Sequence, residues 1–206
     1  MAHKIYLVKG VSIRYYLSMP RQMTQQLLER LASLLRSESR SLLFAHGLQP
    51  IQFEALHYLS LCNRYSNTPM GVTEYLGQTK GTVSQTLKVL EKKELIVKRP
   101  DAKDKRVAHM EVTQQGLELI NQILPSPLLQ ATAELCSDQD MEAMDAALGI
   151  LLRKIQQANG FKTFGQCSHC RHHTKLDNSH YFCGLTQETL DSSDTTLICR
   201  EHEPIT

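Results

Sequence analysis

Four of the six cysteines crowd one short stretch, as Cys167-x2-Cys170-x12-Cys183-x15-Cys199. Thiolates are soft ligands, and four of them satisfy a tetrahedral Zn²⁺ ion. Cys167 and Cys170 can chelate from a single tight turn, and Cys183-Gly184 resembles half of a second one. The pattern lacks the second C-x2-C of a zinc ribbon, and its spacing matches neither standard ferredoxin arrangement. The expectation is one structural Zn²⁺ on Cys167, Cys170, Cys183 and Cys199, with an iron–sulfur cluster as the alternative cofactor and redox thiols, or no site at all, as the third reading. His169, His172, His173, His180 and His202 share the stretch, and any one could replace a cysteine as ligand. The 46 residues from Phe161 to Thr206 are too few to secure a core without a staple, which favours a metal. Cys62 and Cys136 stand alone in helical stretches and read as small core residues rather than sensors.

Catalytic chemistry is not in view. A zinc deaminase needs His-x-Glu ahead of Pro-Cys-x-x-Cys. Here Gln166 precedes Cys167, and His202-Glu203-Pro204 comes after the last cysteine. No glycine-rich phosphate loop and no nucleophile motif occurs, so the chain does not read as an enzyme.

A second group of residues suits nucleic acid. From Thr79 to Arg106 nine Lys or Arg face four acids, a local excess of +5, whereas the chain as a whole carries +2 and the tail from Phe161 is acidic. Such a local excess suggests a polyanion-binding face. Within it, Val83, Leu87 and Leu90 fall at helical spacing on one stripe, and Lys80, Ser84, Gln85 and Lys88 fall on the opposite stripe. Ser and Gln can read base edges, and Lys can reach a guanine or a phosphate. Thr79 caps this helix, and Gly81 adds no bulk at its start, permitting close approach to a duplex. Beyond it, Lys98, Arg99, Lys103, Lys105 and Arg106 cluster on a hairpin tip suited to phosphates or the adjacent minor groove.

The elements that must position these groups follow from periodicity and breakers. Residues 1–20 read as an N-terminal arm in which Val11 to Leu17 could pair as a strand. Pro20 precedes a long leucine-rich helix through Leu42, and a second helix runs from Pro50 to about Asn63. A short helix at Gly71–Leu76 ends at Gly77, and the Thr79-capped helix continues to about Lys93. Leu95–Arg99 and Val107–Val112 read as the two strands of a hairpin. Thr113 opens a helix that Pro125 and Pro127 should bend before it ends near Leu135, and Ser137 opens the last long helix, closed at Asn159-Gly160. Helix, tight turn, capped helix and basic hairpin in this order make a winged helix-turn-helix.

The run from Thr79 to Arg99 resembles the recognition helix and first wing strand of the multiple antibiotic resistance regulator (MarR) family. Asp104-Lys105-Arg106 matches that family's Asp-x-Arg wing motif, and Val112-Thr113-Gln114-Gln115-Gly116 matches the start of its fifth helix. The resemblance spans about residues 21–158. It implies that Asp104 braces the wing by pairing with a basic side chain, that Arg106 enters or flanks the minor groove, and that Thr82 joins the DNA-contacting set. It also implies a homodimer whose first, fifth and sixth helices interlock, with which the leucines at 27–42 and the apolar positions at 141–152 are compatible. Departures are Glu94 where a Gly is usual, the Pro125–Pro127 pair, and the tail from Phe161, which has no counterpart in the usual family architecture.

The resulting expectation is a mainly α (α+β) protein in three parts. Residues 1–20 form an arm, 21–160 a winged helix-turn-helix with long dimerisation helices, and 161–206 a Cys-rich metal-binding extension. It would bind double-stranded DNA as a homodimer and act as a repressor modulated by a small-molecule effector, a metal or a redox signal. The alternative functions are a protein-interaction module whose metal-bound tail docks a partner, or an iron–sulfur redox sensor on the same DNA-binding scaffold. No run reaches the roughly 20 apolar residues of a membrane span. Lys4 and Lys9 spoil the N-terminus as a secretion signal, so the cytoplasm is the default location.

Overall fold

A computed structural model of the chain describes residues 14–102, 104–160 and 162–205, the side chains of residues 14–21 and 159 excepted. The described part is mainly helical with two small sheets. Seven α-helices, α1 (Arg14–Ala45), α2 (Pro50–Leu61), α3 (Pro69–Leu76), α4 (Lys80–Lys92), α5 (Gln114–Ile123), α6 (Pro127–Leu135) and α7 (Asp138–Asn159), occur among these residues with a hairpin of β1 (Ile96–Pro100) and β2 (Ala108–Val112) between α4 and α5. The tail adds β3 (His173–Lys175), β4 (Tyr181–Cys183) and β5 (Glu188–Leu190), an antiparallel sheet in that order.

The helix starts follow side-chain chemistry that a single sequence displays. The hydroxyls of Thr68, Thr79, Thr113, Ser126 and Ser137 each accept from the backbone N–H three residues on. Each satisfies a donor that the helix itself leaves unpaired, at about 1 kcal/mol per cap. At Ser137 the Asp140 carboxylate reaches back to the Ser137 N–H, closing a reciprocal box. Gly77 ends α3 at φ 61°, a left-handed conformation that costs glycine nothing.

Two expectations are corrected. Residues 14–17 are not strand but the first turn of α1, which continues through Pro20. The β-branched residues that suggested a strand, Val11 and Ile13, lie outside the described residues, and Tyr15–Met19 contains none. The long helix expected from Thr113 to Leu135 is not bent but broken. Leu124 caps α5 in extended conformation, and Ser126 with Pro127 begins a separate α6. Proline supplies the reason on both sides: it cannot donate into α5, yet it is preorganised for the first position of α6.

The core lies under the hairpin. Leu43 from α1 and Leu48 from the loop after it, Phe53, Leu56 and Tyr58 from α2, Val72 from α3, Val83, Leu87 and Leu90 from α4, Ile96 and Met110 from the hairpin, and Ile120 and Ile123 from α5 are all buried together. In contrast Leu27, Leu31, Leu34 and Leu35 on α1 remain 37–57% exposed, and Leu148, Ile150, Leu152 and Ile155 on α7 remain 45–57% exposed. No element among the described residues covers these two faces.

Candidate nucleic-acid interface and thiol cluster

α4 is held by its apolar stripe. Val83, Leu87 and Leu90 are buried, whereas Lys80, Gly81, Thr82, Ser84, Gln85 and Lys88 are exposed along the opposite side. Thr79 caps the helix, its hydroxyl 2.9 Å from that of Thr82 and 3.2 Å from the Thr82 N–H. The inner side is set by eight-residue α3 and the Gly77 turn. An open groove of about 280 Å³ runs between α3, α4 and β1, lined among others by Thr73, Lys80, Ser84, Lys88 and Lys98. Around Gly81 a Cβ would meet only the Thr79 hydroxyl, at 3.9 Å, so the helix start is open on that side.

The hairpin pairs in register from Ile96 opposite Val112 to Pro100 opposite Ala108. At its tip Arg106 grips Asp104 through three side-chain bonds, Nε to Oδ1 at 2.9 Å and to Oδ2 at 3.2 Å and Nη2 to Oδ2 at 2.8 Å, and donates its backbone N–H to Oδ1 at 3.0 Å. The basic partner of Asp104 is therefore Arg106 itself. The Arg106 side chain stays 91% exposed, so the grip aims the guanidinium without removing it from the surface. That pairing holds the Asp104 carboxyl below its ordinary value and raises Arg106. Arg99 pairs across the strands with Glu111 at 2.6 Å, and Lys105 is exposed. Lys103 lies outside the described residues.

Sequence reading missed the anchor of the wing. The His109 ring bonds Asn67 Oδ1 at 2.6 Å through Nδ1 and Asp101 Oδ2 at 3.0 Å through Nε2, while the Met110 N–H donates to the Asn67 carbonyl at 2.7 Å. These bonds tie β2 to the loop before α3, fixing the wing relative to the helix pair. Nothing local in the sequence marks residues 42 positions apart as partners.

In the tail, Cys167, Cys170, Cys183 and Cys199 are free thiols, and all four line one cavity of about 30 Å³ with His172, His173 and Asp194. Burial pushes the Cys167 thiol up to about 12, and neighbouring Cys183, Cys170 and Cys199 push in the same direction. Among the described residues, no group of three or more His, Cys, Asp or Glu is arranged as it would be around a metal ion. His169 and His180 are exposed, and His202 bonds Thr163, so the histidines do not converge as a set. Cys62 is a buried core thiol, pushed up to about 12 chiefly by burial.

The tail packs on the winged helix. Phe164 makes edge contacts with Tyr58 and Tyr75, with ring centroids 5.9 and 5.2 Å apart. Ile198 donates to the Leu61 carbonyl at 3.0 Å and accepts from Asn63 at 2.9 Å. Arg200 reaches Glu74 of α3 with both arms, at 2.7 and 2.6 Å, and its backbone N–H donates to Ser66 Oγ at 2.8 Å. Arg64 pairs with Asp194 at 3.1 Å, and Tyr65 donates to Glu188 at 2.6 Å.

Comparison with known proteins agrees with the central part of this architecture. Residues 46–107 match the family model described as MarR family. The chain is 25% identical over 103 residues to the HTH-type transcriptional regulator MhqR of Bacillus subtilis (strain 168), an overlap of 45% of this chain and 70% of that protein. The S. aureus MepR–DNA complex superposes with a TM-score of 0.53 at 25% identity, covering 63% of this chain and 96% of that one. S. aureus MepR in its DNA-binding conformation gives 0.56 at 24% identity, covering 65% and 98%. No described helix is long and apolar enough to cross a membrane. The match to the MarR family model thus falls on the helix-turn-helix and the first part of the wing.

Proposed function

We propose that the chain is a sequence-specific transcriptional regulator that grips double-stranded DNA as a homodimer. The observation that carries this reading is the exposed stripe Lys80, Ser84, Gln85 and Lys88 on a capped helix, flanked by a wing whose Arg106 is aimed but not buried. In this arrangement α4 enters the major groove with Ser84 and Gln85 toward base edges, Thr79, Lys80, Thr82 and Lys88 bind near phosphates, and the wing reaches the neighbouring minor groove. The positive end of the α4 dipole adds to the attraction for phosphate. That MepR, similar in fold, has been solved in complex with DNA supports DNA as the ligand of a unit of this shape.

Dimerisation follows from the uncovered faces of α1 and α7. Monomers rarely leave contiguous apolar surface of this kind in water, and a second copy of the same helices covers it. A dimer presents two α4 helices, which suits a pseudo-palindromic site with half-site centres about 34–36 Å apart. Seated on such a site, it excludes other proteins from the duplex, so repression is the expected output. Its modulation by a small ligand, a metal or a redox signal belongs to the same reading.

Selection of duplexes from a random pool tests the reading, with the assembly measured in parallel by analytical ultracentrifugation. Enriched two-fold symmetric sites and a dimer at micromolar concentration are expected. A pool that yields no enriched sequence, or a monomer that stays monomeric on the selected duplex, overturns it.

A further inference from the structure

The tail has almost no apolar core of its own. Among its described residues the buried apolar side chains are Cys167, Cys170 and Leu190, and each of its strands is three residues long. Phe164 and Ile198 pack on the core of the winged helix. What occupies the centre of the tail is thiol. A unit this small needs a staple, and no disulfide joins its cysteines.

The backbone around each thiol is already turned for ligation. The Cys170 N–H donates to the Cys167 carbonyl at 3.0 Å, the Gln187 N–H to that of Cys183 at 2.8 Å, and the His202 N–H to that of Cys199 at 3.2 Å. Three tight turns thus deliver four thiols to one cavity, whose volume of about 30 Å³ suits a single ion. His173 also lines it, and its buried Nε2 has no hydrogen-bond partner. An unpaired buried nitrogen is costly unless something occupies the space beside it.

We propose that Cys167, Cys170, Cys183 and Cys199 take up one Zn²⁺ ion per chain, and that the ion thereby fixes the turn between α2 and α3. The thiols are not yet closed around a centre, so binding draws the three turns inward. Tetrahedral geometry with four sulfurs at about 2.3 Å fits Zn²⁺. The connection to α3 is short. Cys199 stands between Ile198, which is hydrogen-bonded to Leu61 and Asn63, and Arg200, which grips Glu74 and Ser66. Asp194, lining the same cavity, holds Arg64. Ion binding therefore restrains both ends of the loop that places α3, the first helix of the helix-turn-helix.

The test uses the 206-residue chain, purified without chelator or metal-affinity steps. Elemental analysis should find about one zinc per chain, and Co²⁺ replacement should give visible bands of a tetrahedral site with thiolate-to-metal charge transfer. Cys183→Ser should lower the content and shift those bands. Should that variant fold poorly, chelation of the native chain supplies the second arm. Hydrogen exchange at residues 62–76 should then accelerate by about tenfold or more on zinc removal, with residues 96–112 far less affected. Iron with intense visible absorbance, disulfides among the four cysteines in freshly purified reduced protein, or no zinc and no Co²⁺ bands each overturn the site. Zinc present with unchanged exchange at residues 62–76 overturns the coupling.

Discussion

The wing arginine offers a quantitative test of how charge is used. Arg106 is aimed by Asp104 yet 91% exposed, so its value lies in contact with the duplex rather than in the stability of the hairpin. Each neutralised phosphate contributes about 0.9 to the slope of log affinity against log salt. In a dimer Arg106→Ala removes two such contacts and should flatten the slope by about 1.8. Between 50 and 200 mM salt, a fourfold change, the affinity gap between native and variant protein should shrink by about twelvefold on that arithmetic. Fluorescence anisotropy with one selected duplex and one random duplex, titrated across that range, measures it. The variant should lose on both duplexes. The double variant Asp104→Ala/Arg106→Ala restores the net charge of the native wing without restoring the contact. If only the long-range field mattered, its slope would match the native one; a positioned contact leaves it flattened by about 1.8. Gln85→Ala should keep the native slope while losing about 1–3 kcal/mol of discrimination at one or two base positions. Equal losses on selected and random duplex for Gln85→Ala, or a native slope for Arg106→Ala, would refute this division of roles.

Three further outcomes concern the scaffold. Glu94 sits at φ 61° where β1 begins, so Glu94→Gly should stabilise the chain by about 1 kcal/mol, read as a higher denaturation midpoint with the same urea dependence. Gly116 lies in the first turn of α5, where an added Cβ would collide with the Leu95 carbonyl and the Val112 side chain; Gly116→Ala should therefore cost about 1–3 kcal/mol in the same assay. Arg200 beside Glu74, helped by Lys162, holds that carboxyl below its ordinary value of 4.5. A depressed folded value means that the pair contributes fully above pH 4.5 and is lost as pH falls through the lower folded value. Proteolytic release of the tail should thus be flat at neutral pH and rise only in that acid window, and Glu74→Gln should abolish the pH-dependent part.

The legible features were those decided within a few residues. Ser/Thr caps, the Gly77 turn and the buried and exposed stripes of α4 depend on local chemistry, and a single sequence displays it. The break between α5 and α6 was half legible. Two prolines announced a disturbance, but only the pairing of Ser126 as cap with Pro127 at the first position turns it into a new start. Local chemistry misled at α1, where Pro20 looked like a beginning and instead lies inside a helix. A charge tally likewise counted Arg99 and Arg106 as two equal cations. The structure separates them: Glu111 engages one from a neighbouring strand, and Asp104 orients the other at the tip.

What the sequence could not display is where the tail sits. Cluster and spacing identify four thiols and make the tail continuous with the end of α7, but not what it packs against. At that end the described contact is local, Gln156 donating to the Thr163 carbonyl at 3.0 Å. The long-range contacts go elsewhere. Arg200 to Glu74 spans 126 residues, Arg64 to Asp194 spans 130 and Tyr65 to Glu188 spans 123, and all converge on α3 and the turn before it. Ordering such distant segments costs loop entropy once, and each further bond then adds at little extra cost. The Glu74–Arg200 contact is bidentate and, with Arg200 only 25% exposed, is less screened than a surface pair. In a tail held this way, loosening Cys199 loosens Ile198 and Arg200 with it, and the next element to feel the change is α3.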